Sequence, residues 1–97
     1  MEYDVVVWRG TLSDGSICYA AICPAISDAH GQGDTEEELL ADVADTMALF
    51  LEKMPGKVKT GQAAQDALGE EMSELNADGV ECWVRQVEPR RFPIPVQ

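Results

Sequence analysis

Tyr19 to Leu51 reads YAAICPAISDAHGQGDTEEELLADVADTMALFL, and the order of its local signals sets the architecture. Ile17 to Cys23 is apolar on both alternating faces, the pattern of a central strand covered on two sides. Pro24 has no N–H for a ladder bond, so the strand ends there. A short third strand is predicted over Asp28 to Gln32, and Gly33-Asp34-Thr35 opens a long helix. Thr35 as N-cap with Glu38 three positions on makes a capping box, and Glu36, Glu37 and Glu38 complement the positive end of the helix dipole. Leu39, Val43, Met47, Phe50 and Met54 form one apolar stripe flanked by Leu40, Ala44 and Leu51. Pro55-Gly56 stops the helix.

Outward from that stretch, Tyr3 to Trp8 reads as a strand with Val5 and Val7 on one face and Asp4, Val6 and Trp8 on the other. Ser13-Asp14-Gly15-Ser16 supplies a hairpin turn. Lys57 to Gly61 reads as a loop, and Gln62 to Asn76 as a weaker second helix carrying Ala64, Leu68, Met72 and Leu75 at helical spacing, with Gly69 lowering its propensity. Asp78-Gly79 turns the chain into a last strand, Val80 to Val87. The segment after it, PRRFPIPVQ, is predicted to be extended and poorly ordered unless something holds it. The sum is a single α+β domain over residues 1–88, a β-β-β-α-(α)-β sheet with the main helix on one face, followed by a Pro-rich tail, 89–97. If the helix packs on the face carrying Val5, Val7, Val80, Cys82 and Val84, then Trp8 and Trp83 lie on the opposite face. That second apolar face has to be covered by the second helix or by another subunit, and a homodimer interface through Trp8 and Trp83 is the expectation.

The chain has 97 residues and is 45% hydrophobic and 26% charged, the composition of one globular domain. No apolar run is long enough for a bilayer, and MEYDVVVW carries no basic signal-peptide region. Three cysteines, Cys18, Cys23 and Cys82, make an odd count that points to reduced structural thiols and a cytoplasmic setting. Cys18 and Cys23, on one strand at odd separation, face opposite ways. The formal net charge is −11, and residues 1–52 hold eleven acidic side chains against one basic, Arg9. Such a field repels phosphate backbones and attracts basic proteins, although acidity also serves plain solubility. No direct nucleic-acid contact and no membrane contact are expected.

Little in the chain suggests chemistry. His30 is the lone histidine, and no Cys-x-x-Cys or His-x-x-x-His spacing accompanies it, so neither metal nor cofactor is expected. Gly31-x-Gly33 is too short and too acid-flanked to hold a phosphate. Scattered serines give no nucleophile–base pair. No catalytic residue is assigned.

Tyr19, Ala21, Cys23, Pro24, Gly33, Asp34, Thr35 and Glu38, with the apolar helix behind them, resemble the HicB-type antitoxin domain. The likeness covers residues 1–54, reaches the last strand weakly, and leaves Pro55 to Gly79 unaccounted for. The family neutralises HicA toxins, small ribonucleases that cleave messenger RNA. The resemblance implies a truncated RNase H-like arrangement without the catalytic carboxylates, and a non-enzymatic domain that occludes a basic HicA-like toxin protein. On this reading the partner-binding surface runs through Asp28, His30, Asp34, Glu37, Asp42 and Asp45. Most HicB proteins carry a DNA-binding module after this domain; only the nine-residue tail 89–97 follows the domain here, so autoregulation by direct DNA contact is not expected. The alternatives are an orphan homodimeric domain of structural or regulatory role, and a relic nuclease in which Asp4 would be joined by Asp28, Asp34, Asp45 or Glu81.

Overall fold

A computed structural model describes residues 1–91, and its element order is β1 (Tyr3–Thr11), β2 (Ile17–Cys23), β3 (Ala29–Gly33), α1 (Glu36–Lys53), a single 3₁₀ turn (Pro55–Lys57), α2 (Gly61–Ala77) and β4 (Cys82–Val87). The strands form one antiparallel sheet in the order β3-β2-β1-β4, so β2 is central as its two-sided apolar pattern predicts. The fold is α+β. No helix among the described residues is long and apolar enough to cross a membrane.

α1 lies over β3 and β2 with its stripe inward. Leu39, Val43 and Met47 are fully buried and pack with Val5, Val7, Ala21, Cys23 and Ala29 from the sheet. Burial of side chains this size stabilises by about 1.5–3 kcal/mol each. The stripe weakens toward its end, where Phe50 is half-buried and Met54 exposed. The helix comes unusually near β3 because β3 presents glycine at the contact. A Cβ on Gly31 would sit 2.7 Å from the Val43 main-chain nitrogen, and one on Gly33 would sit 2.6 Å from that of Leu39. Both distances lie far inside van der Waals contact, so backbone would have to move.

The β1–β4 register corrects the predicted placement of Trp83, Cys82 and Val84 and leaves Trp8 where it was expected. Val7 pairs with Trp83 and Val5 with Arg85, while Val6 pairs with Val84 and Trp8 with Cys82. Trp83 therefore shares the α1 face with Val5 and Val7, and Cys82 and Val84 share the other face with Trp8. Alternation within a strand is legible in sequence; which parity meets the neighbouring strand is set by pairing. The second face is covered in part by α2, which packs against β1 and β4. Val6, which points away from α1, has no exposed surface. Ala64, Leu68, Met72 and Leu75 are the half-buried side of α2, as their spacing predicts, and Trp8, Ala20 and Ile22 are half-buried on the same sheet face.

One hydrogen bond fixes the direction of the main-chain groups throughout the sheet. Leu12 N–H donates to Ser16 C=O at 2.8 Å where the β1–β2 hairpin closes. In an antiparallel ladder bonded and non-bonded pairs alternate, and the registers run without a bulge. Even residues of β1 therefore bond to β2 and odd residues to β4. On the two edge strands the even residues turn their N–H and C=O groups outward: His30 and Gln32 on β3, and Cys82, Val84 and Gln86 on β4.

Candidate functional site

The residues singled out in the sequence as a partner surface divide into three groups. Asp28, His30, Asp34 and Asp42 are exposed and follow the β3 edge. Asp28 stands in the turn that enters β3, where Ala29 N–H donates to Ile26 C=O at 2.8 Å. The two central residues of that turn, Ser27 and Asp28, have φ of 47° and 57°. Two successive positive φ values define a type I′ turn, a conformation suited to Asn-Gly. His30 projects from the face opposite α1, and its Nδ1 lies 3.4 Å from the Asp28 carbonyl oxygen. Asp34 begins the turn from β3 into α1.

Two carboxylates of this rim are also structural. The Asp42 carboxylate accepts from the outward Gln32 N–H at 2.9 Å, and the Glu38 carboxylate accepts from Asp34 N–H at 3.1 Å. Glu38 N–H in turn donates to Thr35 Oγ1 at 3.1 Å. The predicted capping box thus forms with its return arm moved one residue upstream, onto Asp34 rather than Thr35.

Glu37 and Asp45 lie elsewhere. Glu37 is on the far flank of α1, lining a cleft of about 410 Å³ with Leu40, Ala44, Val87 and Arg90. Asp45 accepts from Arg91 Nε at 3.0 Å, and Arg91 Nη1 also donates to Glu52 at 2.8 Å. Glu36 accepts from Trp83 Nε1 at 2.7 Å and pairs with Arg85 at 3.1 Å, which ties β4 to the first turn of α1. Glu36, Asp45 and Glu52 of α1 therefore find their cations within the chain, from residues about forty positions away or more. Such partners are not legible from helix spacing, which brings together only residues three or four positions apart. Arg90 N–H donates to Ala44 C=O at 3.1 Å, so the start of the tail is held against α1; the predicted disorder of 92–97 falls outside the described residues.

Other groups are accounted for by packing. Cys23 is buried, and burial pushes its thiol up to about 11, which keeps it protonated and inert. Cys18 and Cys82 are half-buried and unpaired. Asp4 lines a cleft of about 280 Å³ at the foot of the sheet with Tyr3, Pro24, Lys59 and Leu68, apart from Asp34, Asp45 and Glu81. Among the described residues no three His, Cys, Asp or Glu side chains stand where they could hold a metal ion. Exposed carboxylates thus flank β3, with Asp28 before the strand, Asp34 after it, and Glu38 and Asp42 on the helix above it.

This geometry defines an α+β domain with a carboxylate-lined sheet edge. Comparison with protein-family models, with curated proteins and with solved structures finds no match to the chain.

Proposed function

We infer that the protein is a non-enzymatic protein-binding domain of HicB-like type, which neutralises a basic HicA-type ribonuclease by covering the surface that holds RNA. The RNase H-like relation of its sheet and a cytoplasmic setting belong to the same reading. The observation that carries it is the exposed rim of Asp28, Asp34, Glu38 and Asp42 in a half of the chain with eleven acidic residues and one basic. A ribonuclease is basic where it binds phosphate, and a carboxylate rim meets that surface by charge complementarity, which governs encounter rate and register more than final affinity. Relative to the surface expected from sequence, the contact narrows to Asp28, His30, Asp34 and Asp42. Glu37 is on the other flank of α1, and Asp45 already holds Arg91.

The test is a tagged pull-down from the native host at low and moderate salt, followed by co-expression with any small basic protein recovered. Asp34→Asn combined with Asp42→Asn removes two charges while keeping an acceptor for the Gln32 N–H. The double variant is expected to slow association several-fold and to flatten its salt dependence. Recovery of no basic partner at low salt, or a double variant with unchanged association, would overturn the reading.

A further inference from the structure

We propose that the outer edge of β4 is a self-association surface, on which a second copy of this chain adds its own β4 antiparallel and joins the two four-stranded sheets into one. The inference does not depend on the proposed toxin partner.

The main-chain groups are already aimed. Cys82, Val84 and Gln86 turn their N–H and C=O groups away from β1, and Arg85 Nη1 reaches the Val84 carbonyl oxygen at 3.3 Å from the strand's own side chain. Among the described residues nothing else takes these groups up. The opposite edge is partly guarded, because α1 carboxylates occupy the outward N–H groups of Gln32 in β3 and Asp34 just after it. β4 has no such guard, and an unguarded edge is a template for strand addition.

The sequence of β4 also fits itself in one register. With the two-fold axis through Val84, Val84 faces its copy and Cys82 faces Gln86 of the second chain. All three outward residues then pair, for about six main-chain hydrogen bonds. On the α1 face this register sets Trp83 opposite Arg85, a cation over an aromatic ring. Glu81 meets Val87, and Glu88 meets Val80, so no like charges come opposite. Moving the axis to Arg85 would place two arginines face to face, and moving it to Trp83 would leave Gln86 outside the strand pairing. Charge complementarity and hydrogen-bond parity therefore select the same register.

The test uses the full chain in sedimentation and light scattering, with amide exchange followed by residue. The expected species has twice the 10.6 kDa chain mass, with the Cys82, Val84 and Gln86 amides protected in step with the dimer fraction. Because each copy carries −11, the dimer is expected to tighten from low salt to about 0.5 M salt as repulsion is screened. A complex with a basic protein would weaken over the same range. Gln86→Pro removes an outward N–H from an exposed position without touching the β1 ladder, and is expected to weaken the dimer about tenfold or more. His30→Pro, the same change on the β3 edge, is expected to leave the dimer intact. A monomer at every concentration, or a dimer in which the β4 amides exchange freely, would overturn the proposal, and the exchange result holds even if a proline variant fails to fold.

Discussion

The two edges of the sheet solve the same problem in opposite ways. β3 is short, carries two glycines that let α1 come close, and has outward N–H groups taken by Asp42 and Glu38. Among the described residues β4 is held by β1, a light contact with α2, the burial of Val87 in the core and the Glu36 bridge from Trp83 and Arg85, and no carboxylate takes up its outward N–H groups. One edge is fastened to a helix that takes up part of its outward backbone; the other has no helix over it. The comparison teaches that the acidic residues near β3 cannot be read as binding charge alone. Asp42 and Glu38 hold backbone in place through their bonds to Gln32 and Asp34.

The strongest way to break this contrast is Gly31→Ala. The added methyl would meet the Val43 main-chain nitrogen at 2.7 Å, and prying α1 from β3 is expected to cost about 2–4 kcal/mol in urea unfolding. Gly10→Ala, where nothing lies within 4 Å, is the matched change on β1, and little loss is expected there. Next in size, Asp42→Ala leaves the Gln32 N–H without its acceptor and is expected to cost about 1 kcal/mol, whereas Asp42→Asn keeps most of the bond. If the carboxylate also guards the edge, Asp42→Ala will raise protein-concentration-dependent aggregation and Asp42→Asn will not.

A change that sharpens the comparison is Asp28→Gly. It relieves a left-handed residue at φ 57° and is expected to stabilise by about 1 kcal/mol. It removes a rim charge at the same time, so a variant that unfolds later yet binds a basic partner more slowly would separate the edge's structural role from its electrostatic one.

The smallest expected effect is on the α2 side. Partial burial raises the Glu71 carboxyl pKa, with Glu74 and then Asp28 adding to the shift. A carboxyl that holds its proton more tightly when folded favours the folded state below its unfolded pKa. That gain is lost as pH rises through the folded value, so at neutral pH the ionised group is a net cost. Glu71→Gln is expected to raise thermal stability at pH 7 by a few tenths of a kcal/mol, with the advantage shrinking toward pH 4.

Much of the fold was legible along the chain because its causes are local. Pro24 and Pro55-Gly56 end their elements where expected, with β2 stopping at Cys23 and α1 at Lys53. β3 lies one residue later than predicted, and the second helix forms over Gly61–Ala77 despite Gly69. The α1 stripe and the half-buried side of α2 follow from period alone. The site was less legible. Asp28, Asp34 and Asp42 could be named as a surface, yet the separation of Glu37, the Arg91 bridge to Asp45 and the structural duty of Asp42 depend on neighbours remote in sequence. The Gly31-x-Gly33 pair was noticed only as a failed phosphate loop; its true signal was small residues on a strand immediately before a helix.

By itself, then, the sequence determined the elements, their caps and stops, the central place of β2 and the imbalance of charge, because each depends on residues within a few positions of one another. Tertiary structure alone decided which face Trp83 takes, which carboxylates are already engaged, and which sheet edge has a helix over it. Those outcomes rest on pairing parity and on contacts across the chain, and a shift of one residue in β4 would have reversed the first of them.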